Sequence, residues 1–116
     1  MKKMKIFDIY KRVLILIGEE EIVNMNTDDS ALKKRFLTAL NEIAEDITGL
    51  NVTYEMYSEI ALESSAVQAL TYGTAMLLSL ESGQTETNRI FCELYNSKRA
   101  AYMGKTGNII NSIPTV

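Results

Sequence analysis

Histidine is absent from the 116 residues, and cysteine and proline each occur once. Without histidine the chain has no Ser-His-Asp or Cys-His catalytic set. It also lacks most zinc sites and the Glu-x-x-His di-iron arrangement of helical bundles. The lone thiol, Cys92, excludes an internal disulfide framework. Set beside an apolar stripe, with no activating motif near it, Cys92 reads as buried and inert. A single proline, with six glycines placed mostly near helix ends, favours helices throughout. No phosphate loop of the GxxxxGK[ST] type is present. The longest charge-free interval, between Glu63 and Glu81, falls short of the roughly 20 predominantly apolar residues of a membrane span. It carries Gln68, Thr71, Thr74 and Ser79, and its flanks lack a one-sided Lys/Arg cluster. No enzyme, cofactor, metal site or membrane association is therefore expected.

That same interval organises what is there. In residues 64–82 one stripe is Val67, Leu70, Thr74 and Leu77, and another is Ala66, Ala69, Gly73, Met76 and Leu80. Only a weakly polar strip of Gln68, Thr71, Ser79 and Ser82 separates them. A helix apolar on most of its circumference must be covered on most of it, which predicts the central rod of a bundle or a rod shared with a neighbouring subunit. Mid-helix, Gly73 costs about 1 kcal/mol relative to alanine, so close approach by a neighbouring backbone is expected there. The length suits one domain with its own core.

The opening residues MKKMKIFDIYKRVLILIG are basic and then apolar, but Asp8, Lys11 and Arg12 interrupt the run and no small-residue cleavage site follows. They read as an amphipathic helix over 5–17, not a signal peptide, with Ile6, Ile9, Val13 and Leu16 on one face and Gly18 as its stop. Asn51-Val52-Thr53 is then a glycosylation pattern without a compartment. A polar link spans 19–29. In it Asn24, Asn26 and Asp28 alternate as in a calcium loop, but Asp29 replaces the turn glycine and Arg35 the terminal glutamate. Asp28, Asp29 or Ser30 instead caps a second helix that runs to Thr48, with Leu32, Phe36, Leu40, Ile43 and Ile47 inward and Gly49 as its stop. On that helix Glu42, Glu45 and Asp46 read as solvated surface, as do Lys33, Lys34 and Arg35. Residues 50–63 permit a short strand through Val52, Tyr54 and Met56 or an irregular connection, with Tyr54, Met56 and Tyr57 covering the bundle's end. A last helix over 86–103, with Thr85 as candidate N-cap, presents Ile90, Phe91, Leu94, Tyr95 and Tyr102 to the core. The expectation is an all-α, four-helix bundle-like domain (1–104) with a short extended C-terminal tail (105–116). In that tail Ile109, Ile110, Ile113 and Val116 are too apolar for an idle solvated segment.

Charge is unevenly distributed. Residues 19–63 hold eleven acids against three bases, whereas 94–116 hold Lys98, Arg99 and Lys105 with no acid. Such asymmetry suits either head-to-tail subunit contacts or two solvated faces. The net charge of −3 argues against a dedicated nucleic-acid binder. A DNA-binding regulator, or a packaging protein like a terminase small subunit, is the alternative reading, with only Lys33–Arg35 to offer as a basic surface. A helical enzyme or ligand-binding bundle would need a deep pocket with converging polar groups.

Residues 71–102, TYGTAMLLSLESGQTETNRIFCELYNSKRAAY, join two helices through a polar turn. Tyr72, Gly73, Ala75, Leu77 and Leu78, followed by Tyr95, Asn96, Lys98, Arg99 and Ala100, resemble the small helical head–tail connector (adaptor, or head-completion) proteins of tailed bacteriophages and prophages. The opening DIYKRVLILIG (8–18) is similar to that family's start. The resemblance implies a non-enzymatic subunit of a homo-oligomeric ring, commonly of twelve copies, at the head–tail interface of the virion after assembly in the host bacterial cytoplasm. Its implied partners are the portal protein above and the tail or a stopper below, with DNA passing through the channel without sequence-specific binding. It makes Tyr72, Gly73, Ala75, Leu77, Tyr95, Lys98 and Arg99 the packing and assembly candidates, and the apolar tail adds Ile109, Ile110 and Ile113.

Overall fold

The computed structural model describes residues 2–25 and 27–105. Three lysines around Met4 form a strand, β1 (Lys2–Lys5), which runs without a loop into α1 (Ile6–Leu16). Helix α1 buries Ile6, Ile9, Tyr10, Val13 and Leu14, the face that its three-and-four spacing prescribes. A short helix, α2 (Glu20–Asn24), lies inside what the sequence offers as a polar link. Its five residues make too little of a period to be seen, and none of them is buried.

Of the three capping candidates for α3 (Ser30–Thr48), Asp29 takes the role, its side chain accepting from the Leu32 N–H at 3.0 Å. The helix buries Leu32, Phe36, Ala39, Leu40, Ile43, Ala44 and Ile47. It ends where Gly49 turns to φ 73 and its N–H closes on the Glu45 carbonyl at 2.8 Å.

The irregular alternative holds for 50–58, and the strand falls later. β2 (Glu59–Leu62) pairs antiparallel with β1, Lys5 opposite Glu59 and Met4 opposite Ile60. Met4 and Ile60 point inward, while oppositely charged Lys5 and Glu59 share the outer face. In the connection Met56 is buried and Tyr54 half-buried, but Tyr57 is 82% exposed, so it does not seal the bundle as expected.

Helix α4 (Ser64–Glu81) is the rod that the charge-free interval predicts, and α1, α3 and α5 (Thr85–Lys105) all pack on it. Three of its interior hydroxyls bond within the helix itself, while the buried Ser65 Oγ has no hydrogen-bond partner among the described residues. Buried Thr71 and Thr74 donate to the Val67 and Leu70 carbonyls at 2.8 and 2.7 Å, and Ser79 donates to Met76 O at 2.9 Å. Such bonds to the preceding turn let hydroxyls sit in a core without an unmet donor. The weakly polar strip is thus half internal: of its four members Thr71 and Ser79 are buried and Gln68 and Ser82 exposed.

Leu16 of α1 is exposed, Leu94 and Tyr102 of α5 are half-buried, and three more side chains depart from the expected core. Leu77 is half-buried at the edge of the cluster, Leu80 is 63% exposed, and on α5 Ile90 is 53% exposed. They lie toward the Gly83 turn that joins α4 to α5, where the cover over the hairpin thins. Thr85 is the first residue of α5 rather than its cap, its hydroxyl donating to Gly83 O at 3.5 Å. The mostly helical, bundle-like fold stands, with the two-stranded ribbon and α2 added to it. The 105–116 tail lies outside the described residues, apart from the Lys105 backbone that completes α5.

Leu70, fully buried, should lose about 2–5 kcal/mol of stability on truncation to alanine. Leu77→Ala should lose clearly less, because Leu77 already touches solvent. Urea denaturation of both variants measures the difference.

Candidate functional site

The two halves of the motif in 71–102 meet on the α4–α5 hairpin. Gly73 is buried mid-α4, and a Cβ built there would stand 2.7 Å from Ile43 Cγ2 and 2.9 Å from Tyr95 Cδ1 and Cε1. The notch in α4 therefore receives side chains from both α3 and α5. The expected close approach is real, but it is made by side chains and not by a neighbouring backbone.

Seated in the notch, the Tyr95 ring extends across to α3, where its hydroxyl donates to Asp46 Oδ2. One turn further along α5, Arg99 Nε donates to the same oxygen at 2.8 Å. Asp46, which the sequence assigns to solvated surface, is thus the pin between α3 and α5, although half of its side chain stays open to water. The Tyr95 hydroxyl bond, with Arg99 second, holds the Asp46 carboxyl below the usual aspartate range against the opposing effect of burial. Burial, and then the bond to Asp46, pushes the Tyr95 hydroxyl up.

The other candidates surround this pin. Tyr72 is half-buried and stacks on Phe91 with ring centroids 6.5 Å apart. Ala75 is fully buried, and Leu77 lies at the cluster's edge. Lys98 is half-buried beside Arg99, and no ion pair to it occurs among the described residues. Ile109, Ile110 and Ile113 lie outside the described residues.

Two asparagines do work that the sequence does not announce. Asn41 on α3 accepts from Tyr54 N–H at 2.7 Å and donates to Tyr54 O at 3.1 Å, pinning the 50–58 connection as a strand partner would. Asn88 on α5 donates to Met76 O at 2.7 Å, tying α5 to the second half of α4. In sequence both are ordinary polar residues on a helix; only their position next to an apolar stripe hinted at a role. Cys92 is half-buried rather than buried, its Sγ 3.3 Å from Met76 Sδ. Lys33 is not simply solvated: it bonds Asp28 at 2.8 Å and lies 5.6 Å from the centre of the Phe7 ring.

The surface concavities include an open groove of about 310 Å³ lined by Arg12, Ile15 and Leu16 of α1 and Gln68, Thr71 and Tyr72 of α4. Among the described residues no three His, Cys, Asp or Glu side chains are placed to hold a metal ion. No helix among them is long and apolar enough to cross a membrane. Comparison with protein-family models, curated proteins and solved structures gives no match for this chain.

Gly73→Ala gains about 1 kcal/mol of helix propensity but forces Ile43 and Tyr95 out of place, an overpacking cost of roughly 1–3 kcal/mol. A net loss in denaturant melts is expected. The pH dependence has a definite sign on each limb. Asp46, with its folded-state pKa depressed, contributes stability that is complete above the ordinary aspartate value near ~3.9 and is lost as pH falls through the depressed one. Tyr95, with its pKa raised, contributes stability that is present below about 10 and is lost as pH rises past it. Thermal midpoints should therefore fall less steeply in acid for Asp46→Asn, and less steeply in alkali for Tyr95→Phe, than for the parent.

Proposed function

We propose that this chain is a structural subunit of a bacteriophage or prophage head–tail connector. Copies of it form a ring beneath the portal, extend the DNA channel and dock the tail or a stopper protein. The observation that carries this reading is the meeting of Gly73 with Tyr95. These residues come from separate helices of the connector-like motif, and their contact makes the α4–α5 hairpin a single packed unit. Arg99, from the same motif, secures the hairpin to α3 through Asp46. A rigid hairpin of this kind suits a ring subunit, whose contacts with its neighbours repeat around a closed circle and tolerate little variation in angle.

The charge distribution supports the same assignment. Glu20 and Glu21 are exposed on α2, while Lys98 on α5 makes no ion pair among the described residues. Charges of opposite sign on different elements are compatible with a heterologous, head-to-tail contact. In this reading the protein is structural, not catalytic, and needs no cofactor. The DNA-binding alternative rests on Lys33–Arg35, and there Lys33 is already engaged with Asp28 while Asp29 and Glu81 stand beside Lys34 and Arg35.

Purified protein at high concentration should give closed rings in negative-stain micrographs, and it should co-purify with the portal of the same phage or prophage. A protein that stays monomeric alone and with the portal, yet shifts DNA in a salt-dependent manner, contradicts the proposal.

A further inference from the structure

We infer that the β1–β2 ribbon joins copies of this chain edge to edge, β1 of one copy pairing with β2 of the next. The inference rests on the ring reading and names the contact between neighbouring subunits. The sheet has two strands, so each of them is an edge. Which backbone groups lie open follows from one bond. The Ile6 N–H donates to the Ser58 carbonyl at 2.9 Å, one step beyond the pairing of Lys5 with Glu59. Bonded and non-bonded pairs alternate along an antiparallel ladder. Met4 with Ile60 and Lys2 with Leu62 therefore make the backbone bonds inside the ribbon. Lys3 and Lys5 on one edge, and Glu59 and Ala61 on the other, turn their N–H and C=O groups away from it. All four residues are exposed. Open groups of this kind are a template for a further strand.

Charge selects the occupant. Lys3, Lys5 and Glu59 make no ion pair among the described residues. Two β1 edges, brought together antiparallel with their open groups in register, set Lys3 against Lys5 twice over, which is repulsive. Placed against β2 of a second copy in the register that already holds inside the ribbon, β1 matches all four open residues: Lys5 meets Glu59 and Lys3 meets Ala61. The lysines thus guard the edge against its own kind and favour the strand of opposite charge. Two β2 edges meet without a like-charge pair but leave both β1 edges open. A β1–β2 contact uses both edges of every copy and is heterologous, the kind that closes rings. Copies joined in this way repeat every two strands, roughly 10 Å, whereas the domain measures 20 Å in its narrowest dimension. The bodies must then fan out from ribbons gathered on the inner side of a curve, which a closed ring permits and a straight stack does not.

The test places proline where the lost N–H faces away from the ladder. Lys3→Pro removes an open donor of β1 and Ala61→Pro one of β2, and neither interrupts the bonds inside the ribbon. Each variant of the full chain should keep the parent's thermal midpoint yet sediment as a monomer at concentrations where the parent assembles. Mixed, the two variants should stop at a heterodimer, because each brings one intact edge. Amide exchange in the unmodified chain gives a second reading free of any folding defect. The N–H groups of Lys3, Lys5, Glu59 and Ala61 should slow on assembly, while Met4 N–H, bonded inside the ribbon, keeps its rate. Assembly by both variants, or no slowing of these amides, overturns the inference. So does loss of assembly in Ala61→Pro alone, which assigns the contact to two β2 edges. Micrographs of the same samples separate the two claims. Rings formed by both variants refute this contact and leave the ring standing, whereas proline-sensitive open chains support the contact and refute the ring. A parent chain that stays monomeric throughout refutes both.

Discussion

A missing side chain holds this fold together. At Gly73 the central helix has no Cβ, and Ile43 from α3 and Tyr95 from α5 fill the space that one would occupy. The consequence spreads outward. With its ring in the notch, Tyr95 reaches Asp46, and Arg99 shares that carboxylate, so the angle between α3 and α5 is set from both sides of α4. A larger residue at 73 would lift α5 and separate donors from acceptor together. Packing and polar contacts here are one device, and neither would persist without the other.

The rod has a second requirement, which is to satisfy the hydroxyls it buries, and among them Ser65 Oγ alone is left without a partner among the described residues. Thr71, Thr74 and Ser79 meet it locally by turning their hydroxyls onto carbonyls of their own helix. Asn88 then anchors α5 to the second half of α4. Toward the Gly83 turn the cover thins, and Leu80 and Ile90 meet solvent. The hairpin is thus rigid along its length and greasy at one end. The α1–α4 groove is a second apolar surface, on another side of the same rod.

What could be read from the sequence was whatever repeats within a helix. The apolar face of α3, the caps at Asp29 and Gly49, and the special status of 64–82 all follow from spacings of three and four or from single residues with one conformational use. What could not be read depends on a partner distant in the chain. β2 is four residues long and exists because Lys2–Lys5, more than fifty positions earlier, offers it an edge. The alternation at Val52, Tyr54 and Met56 was an equally good local signal with no edge to join. Asp46 looked like one of three surface acids until Tyr95 and Arg99 arrived from α5. Leu77 and Ile90 fit the stripes but lie where the stripes run out of neighbours. For the candidate site the motif gave Gly73 and Tyr95 as members, and only the geometry makes them a contact.

The central claim is that α4 is the element on which all the others depend. Native-state hydrogen exchange tests it directly. The amides from Leu70 to Leu78 should exchange only through global unfolding, with the free energy found by denaturant titration and its full denaturant dependence. If those amides open at lower free energy while α1 or α3 stays protected, the core is centred elsewhere and α4 is a peripheral helix.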